Sequence, residues 1–242
     1  IPENVRTEPL NKEIVKRMDA ISDQIAKPRA EYNNKVSNFV DGVALVAEMD
    51  AIVQVNPAVL TQSANVAEFL QGAVREAYTA MDILTRSAAE SGNFTPEGLR
   101  ELQALEDQIE GALGGNIANV ASAKALFDAK VNLAAYRFAM MEGQSGRDVS
   151  DKDFERFKSI ISNSKDPNNF AKSVGSYLVN KRNGLNREAD VLVQGDQAVI
   201  DFKNRTGFNP FADVANVDEI ILNSRDPRIQ NTLKSLEEAQ SS

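Results

Sequence analysis

The sequence contains no histidine, no cysteine and no tryptophan. The first two absences remove Ser-His-Asp and Cys-His nucleophilic sites, zinc sites built on thiolate or imidazole, and disulfides. Carboxylate, lysine, tyrosine and hydroxyl chemistry remain. A chain without cysteine suits the cytoplasm and an extracellular particle equally, so the redox compartment stays open. Basic runs are also missing: none is longer than "NKR" or "KNR", and the net charge is -8 with a pI near 4.8. That balance argues against a nonspecific grip on nucleic acid. The most apolar stretch, "FVDGVALVAEMDAIVQVNPAVL", is broken by Asp41, Glu48 and Asp50 and is a poor membrane span. The start lacks a signal-peptide pattern, and the chain reads as soluble. Its opening at Ile1, followed by "PENVRTEP", reads as a processed product or a segment of a longer chain.

What is present is helical pattern. With 242 residues and 42% hydrophobic residues, the chain can bury a sizeable core. Leu10, Ile14, Met18, Ile21 and Ile25 form one stripe, and Val36, Phe39, Val43, Val46 and Val53 form the next. "KPRAEY" separates them, with Pro28 placed to open the second helix. Asn56-Pro57 is another start signal, and Ser63 is expected to cap a helix carrying Val66, Phe69, Ala73, Ala77, Ala80 and Leu84. Thr95-Pro96-Glu97 opens a helix with Leu102, Leu105, Ile109 and Leu113 on one face, and "GGN" at 114–116 turns the chain. The segment from Ile117 to Met141 carries two apolar rows and many alanines, which makes it the candidate central helix. Helical pattern continues beyond Ser150, with Asp166-Pro167 and Asp226-Pro227 as helix starts. "VQGDQAVIDF" fits a hairpin or a helix starting near Asp196, and the remainder reads as short helices and loops. The expected fold is an all-α multi-helix bundle with an irregular C-terminal extension. Its expected parts are a bundle over 1–142, a helical continuation over 143–194 after a Gly/Asp-rich joint, and the extension over 195–242.

Chemical signals are few. Asp148, Asp151 and Asp153 resemble the start of a calcium loop, but the glycine at position six and the acid at position twelve are absent in either register. Ser150-x-x-Asp153 reads instead as a near capping box ahead of a helix. Glu90-Ser91 in "ESGNFTPEG" is similar to the glutamate-serine motif of lytic transglycosylases, where a glutamic acid protonates a glycosidic oxygen. The Gly-Leu-Met-Gln type segment that should follow is replaced by "LRELQALEDQ", so a helix end at Ser91-Gly92 is the preferred reading. "NPF" at Asn209 to Phe211 matches a ligand motif of endocytic adaptor domains, with a cap at Asn209 and Pro210 in a first turn preferred. Asp50 and Lys124 interrupt apolar stripes and are read as stripe edges, with a pair inside the bundle as the alternative. No Gly-rich phosphate loop follows a strand, and no catalytic residue, cofactor or metal is expected.

"LAAYRFAMMEGQSGRDVSDKDFERF" resembles a pattern in large internal virion proteins of tailed bacteriophages, carried by Ala135, Tyr136, Gly146, Arg147, Ser150, Asp151 and Asp153. It covers about 35 residues and is a helix-turn-helix joint without catalytic signature. The resemblance implies a structural component of a phage virion, an internal or ejection protein segment that oligomerises and helps deliver DNA across the host envelope. Expected partners are copies of the chain, other virion proteins and the host envelope, with DNA passing without sequence-specific binding. The implied location is the virion, then the host periplasm or envelope. The rivals are a lytic transglycosylase using Glu90 and a helical adaptor or scaffolding protein outside phages.

Overall fold

A computed structural model describes residues 8–61, 66–114, 117–142, 147–195, 197–207, 209–224 and 227–241. They form an all-α bundle of nine helices with no strand among them: α1 (Glu8–Val55), α2 (Gly72–Ser91), α3 (Pro96–Leu113), α4 (Val120–Glu142), α5 (Arg147–Asn163), α6 (Pro167–Gln194), α7 (Gln197–Thr206), α8 (Val217–Leu222) and α9 (Pro227–Ser241). Two 3-10 turns, Pro57–Leu60 and Val66–Glu68, link α1 to α2.

The centre is α4, as its two apolar rows predict. Every residue from 131 to 139 is buried, which is what a helix enclosed on all sides requires. It packs against α1, α2, α3 and α5. Its alanines at 123, 125, 129, 134, 135 and 139 are all buried and admit neighbouring backbones. Aromatic rings fill what the alanines leave. Phe138 of α4 lies 4.9 Å from Phe157 of α5 and 5.3 Å from Tyr177 of α6, centroid to centroid, so three helices meet on one cluster. Tyr136, on the neighbouring face, holds the α2–α3 turn: its hydroxyl accepts from the Thr95 backbone N–H at 2.8 Å and donates to the Thr95 carbonyl at 3.2 Å.

Several helix ends follow their sequence signals. The Thr95 side chain accepts from the Gly98 backbone N–H at 3.1 Å, and Asp166 accepts from that of Asn169 at 2.9 Å, each followed by proline in the first turn. Helix α2 ends at Ser91 with Gly92 in the left-handed region at φ 63°. Ser63, Asn116, Asp196 and Asp226 lie outside the described residues.

Two expectations are corrected. Pro28 does not separate two helices, because α1 runs unbroken for 48 residues across it. The ring removes the bond to the Gln24 carbonyl. Pro28 is only half-buried, however, so water can reach that carbonyl, and the helix formers Ala26 and Lys27 lead into it. The stripe from Val66 to Leu84 is not one helix either: Val66 is buried in a 3-10 turn, while Phe69, Ala73 and Ala80 face outward. The break at Gln71-Gly72 resets the phase, and α2 buries Val74, Ala77, Met81, Thr85 and Ala88 instead. Of the two readings of "VQGDQAVIDF", the helix is the one observed: "QAVIDF" lies in α7.

The segment after 195 folds back on the bundle. Helix α9 packs on α6 and α1, and α8 packs on α6 and α9. Tyr32 of α1 is buried and donates to the Ala215 carbonyl at 3.0 Å, and Arg29 pairs with Asp213 at 2.5 Å. Burial, and behind it the charges of Glu188, Asp190, Glu219 and Asp218, push the Tyr32 phenol up to about 12.

The close approach of α1 to α4 sets a strict size limit at Gly42, where an added Cβ would sit 2.6 Å from Cε1 of Phe138. Phe138 is fully buried and held by Phe157 and Tyr177, so it has nowhere to go. Gly42→Ala is expected to lower unfolding free energy by about 1–3 kcal/mol despite alanine's better helix propensity. Urea denaturation checks this, and Phe138→Leu in the Gly42→Ala background should recover part of the loss.

Candidate functional site

A dense group of ionisable side chains spans α1, α3 and α4. Lys130 of α4 is buried, and its ammonium donates to Glu48 Oε2 at 2.6 Å, Glu106 Oε1 at 2.6 Å and Glu110 Oε2 at 3.3 Å. Two turns further along α4, Arg137 donates to Asp41 at 2.6 Å. These residues, with Gln103 and Asp107, line an open cleft of about 540 Å³.

Backbone geometry brings them together. Lys130 and Arg137 stand one heptad apart on α4, and Glu48 and Asp41 stand one heptad apart on α1. Moving forward on α4 matches moving backward on α1, so the two pairs define an antiparallel register. Glu106 and Glu110 are one turn apart on α3 and close over the same ammonium.

Burial opposes the Lys130 charge, but its hydrogen bonds to Glu106 and Glu48, with the charges of both, outweigh that cost and raise its pKa. Lys130 is therefore held as an ammonium and has no lone pair for amine chemistry. Burial also raises Glu106; the hydrogen bond and charge of Lys130 work against it, and Glu110 adds to it. At Glu110 burial acts upward too, but the Lys130 charge and the hydrogen bonds from Glu106 and Lys130 prevail and lower its pKa. One anion firmly ionised beside one inclined to hold its proton is an acid–base pairing in form. Here both face a permanent cation, and the arrangement acts as a clamp between three helices.

The candidates from sequence are dispersed. Asp153 is buried and ion-paired with Lys181, joining α5 to α6. Helix α5 begins at Arg147, which puts Ser150 inside its first turn and not ahead of it, so the capping-box reading is corrected. Acidic residues at 148, 151 and 153 favour an early start, because the N-terminal turn stabilises negative charge. Gly146 lies outside the described residues, as do the side chains of Arg147, Asp148, Ser150 and Asp151. Glu90 is exposed near the end of α2, over an open groove shared with Arg86, Phe154, Glu155 and Lys158. That is not the enclosed setting in which a glutamic acid serves a glycosidase. The "NPF" motif is closed to an adaptor: Phe211 is buried, and Asn209 accepts from the Phe211 backbone N–H at 3.0 Å in a turn, not as a helix cap. Asp50 and Lys124 do not pair. Asp50 accepts from Gln54 at 3.3 Å, and Lys124 pairs with Asp128 one turn along its own helix.

Sequence reasoning singled out Lys124 and passed over Lys130 and Arg137. The available signal was the matched heptad spacing of acids at 41 and 48 and bases at 130 and 137. Among the described residues no group of three or more acidic side chains is arranged to hold a metal ion.

Lys130→Met would strand Glu106 in the interior, and the expected cost is about 3–5 kcal/mol at neutral pH. Removing the cation raises the folded-state pKa of Glu106 further above its unfolded value. Such a group contributes stability that is full below the unfolded pKa and lost as pH rises through the folded one. The deficit of the variant should therefore be smallest near pH 4 and grow toward neutrality in denaturant titrations. Adding Glu106→Leu should return much of the loss. Against models of protein families, curated proteins and solved structures, the chain finds no significant match.

Proposed function

We propose that this chain is a structural and assembly module of a phage virion, an internal or ejection protein segment that associates with its own copies and helps carry DNA across the host envelope. The observation that carries the reading is the length of α1. Its 48 residues make a rod of about 72 Å, against about 35 Å for the 23 residues of α4. The part before Pro28 has the sequence stripe Leu10, Ile14, Met18, Ile21 and Ile25. Helices in water owe most of their stability to covering such a stripe, so this part of α1 calls for other helices, from this chain or a neighbour.

Two further features support an assembly role. The charges at the centre are committed to joining helices, and large apolar side chains stand exposed at Val55, Phe69, Ile83, Val191 and Leu222. No helix among the described residues is long and apolar enough to cross a membrane, so envelope passage would rest on an assembly and not on one span. The acidic balance of the chain suits a path that DNA traverses without being held.

Light scattering of the purified chain over a concentration range, with and without mild detergent, tests this reading. A ring-sized mass is expected in at least one condition, and imaging of that species should show an acidic lumen. A strict monomer throughout, or a strongly basic lumen, would reject the conduit and favour a soluble scaffolding role.

A further inference from the structure

An apolar trough that still carries uncommitted charge runs between α4, the C-terminal half of α5 and the Pro57–Leu60 turn. It measures about 460 Å³ and is floored by Val59, Phe127, Val131 and Ile161. Lys158 and Lys165 stand at its rim. Neither has an ion-pair partner among the described residues; Lys158 lies 5.2 Å from the centroid of the Phe154 ring. The carboxylate that lines it, Asp128, is already shared by Lys124 and the Tyr78 hydroxyl. The trough therefore offers apolar contact with two cations to spare.

The complement exists elsewhere on the same molecule. Leu222, at the end of α8, is 74% exposed, the highest value among the exposed large hydrophobics. Glu219 is exposed one turn earlier on the same face, and no base of the described residues pairs with its carboxylate. Val55, Phe69, Ile83 and Val191, also exposed, lack this combination. Val191 has Glu188 at that spacing, but Lys35 holds it at 2.8 Å, and Ile83 has Arg86 there. Helix α8 packs on α6 and α9, away from the trough walls, so one chain does not seat its own knob.

We infer that Leu222 and Glu219 of one copy dock into the trough of the next, leucine on the apolar floor and glutamate between Lys158 and Lys165. This deepens the self-association in the proposed function and rests on that reading. Knob and trough are different surfaces, so the contact is heterologous and propagates head to tail into a ring or a filament.

The test uses two variants of the full chain, Leu222→Asp without the knob and Lys158→Glu/Lys165→Glu without the cationic rim. All three positions lie at the surface, and circular dichroism should show unchanged helix content. Each variant alone is expected to weaken association roughly tenfold or more, as loss of a central anchor does. An equimolar mixture should form dimers of twice 26.4 kDa and nothing larger, because one intact knob meets one intact trough and the chain of contacts ends there. If the wild type assembles and both variants assemble equally well, or if the mixture stays monomeric, the docking is wrong while self-association stands. A wild type that is monomeric at every concentration overturns both.

Discussion

The register between α1 and α4 is the constraint on which the rest of this bundle depends. Alanine-rich helices slide easily, since small side chains make similar contacts at neighbouring offsets. Glu48 on Lys130 and Asp41 on Arg137 remove that freedom, because shifting one helix by a turn separates both pairs, strands the buried Arg137 and leaves Lys130 only its α3 carboxylates. The charges contribute little net stability over an apolar alternative. Their effect is on which packing is chosen, as polar groups in coiled-coil cores select register. Once that offset is set, Gly42 faces Phe138, and Phe138 can complete the cluster with Phe157 and Tyr177. Helices α5 and α6 then have a defined surface to meet.

A second layer of polar contacts fastens the periphery to this centre. Asp153 with Lys181 ties α5 to α6, Lys35 with Glu188 ties α1 to α6, and Tyr32 ties α1 to the segment before α8. Each link joins elements far apart in sequence, so each forms only after the chain has returned. The C-terminal helices are thus held by the same long helix that takes part in the centre. A perturbation of α1 near Tyr32 reaches both.

Much of this was legible in the sequence wherever a rule depends on neighbouring residues. The caps at Thr95 and Asp166, the glycine stop at Gly92 and the central place of Ile117 to Met141 all follow from local chemistry or a single period. Pro28 misled because proline's cost of about 3 kcal/mol can be overridden by tertiary contacts along a long helix. The phase reset at Gln71 and Gly72 was hidden because alanines on either side satisfy more than one stripe. The Lys130 site was missed for a different reason. A lone lysine in an apolar helix reads as a stripe edge until its partners are known, and those lie on two helices whose offset is a tertiary fact. Only the repeated seven-residue spacing of acids and bases connects them in one dimension.

Charge outside the bundle obeys a different logic. At a net charge of -8, copies of this chain repel one another, and apolar contact alone has to overcome that repulsion before any gain. An interface between copies is therefore favoured where the local field is reversed, and a pair of uncommitted lysines beside an apolar floor is such a place. Rim pairs of this kind speed encounter and orient it more than they tighten the complex. Salt then acts in two directions: it relieves the general repulsion and weakens the specific attraction at the rim. Exposed charges more than about 8 Å apart are largely screened at physiological ionic strength, so the diffuse term fades first while the short-range pair persists. Self-association through a cationic trough would thus strengthen on going from low to moderate salt and weaken only when close pairs are screened as well. An interface held by apolar contact alone would instead strengthen continuously.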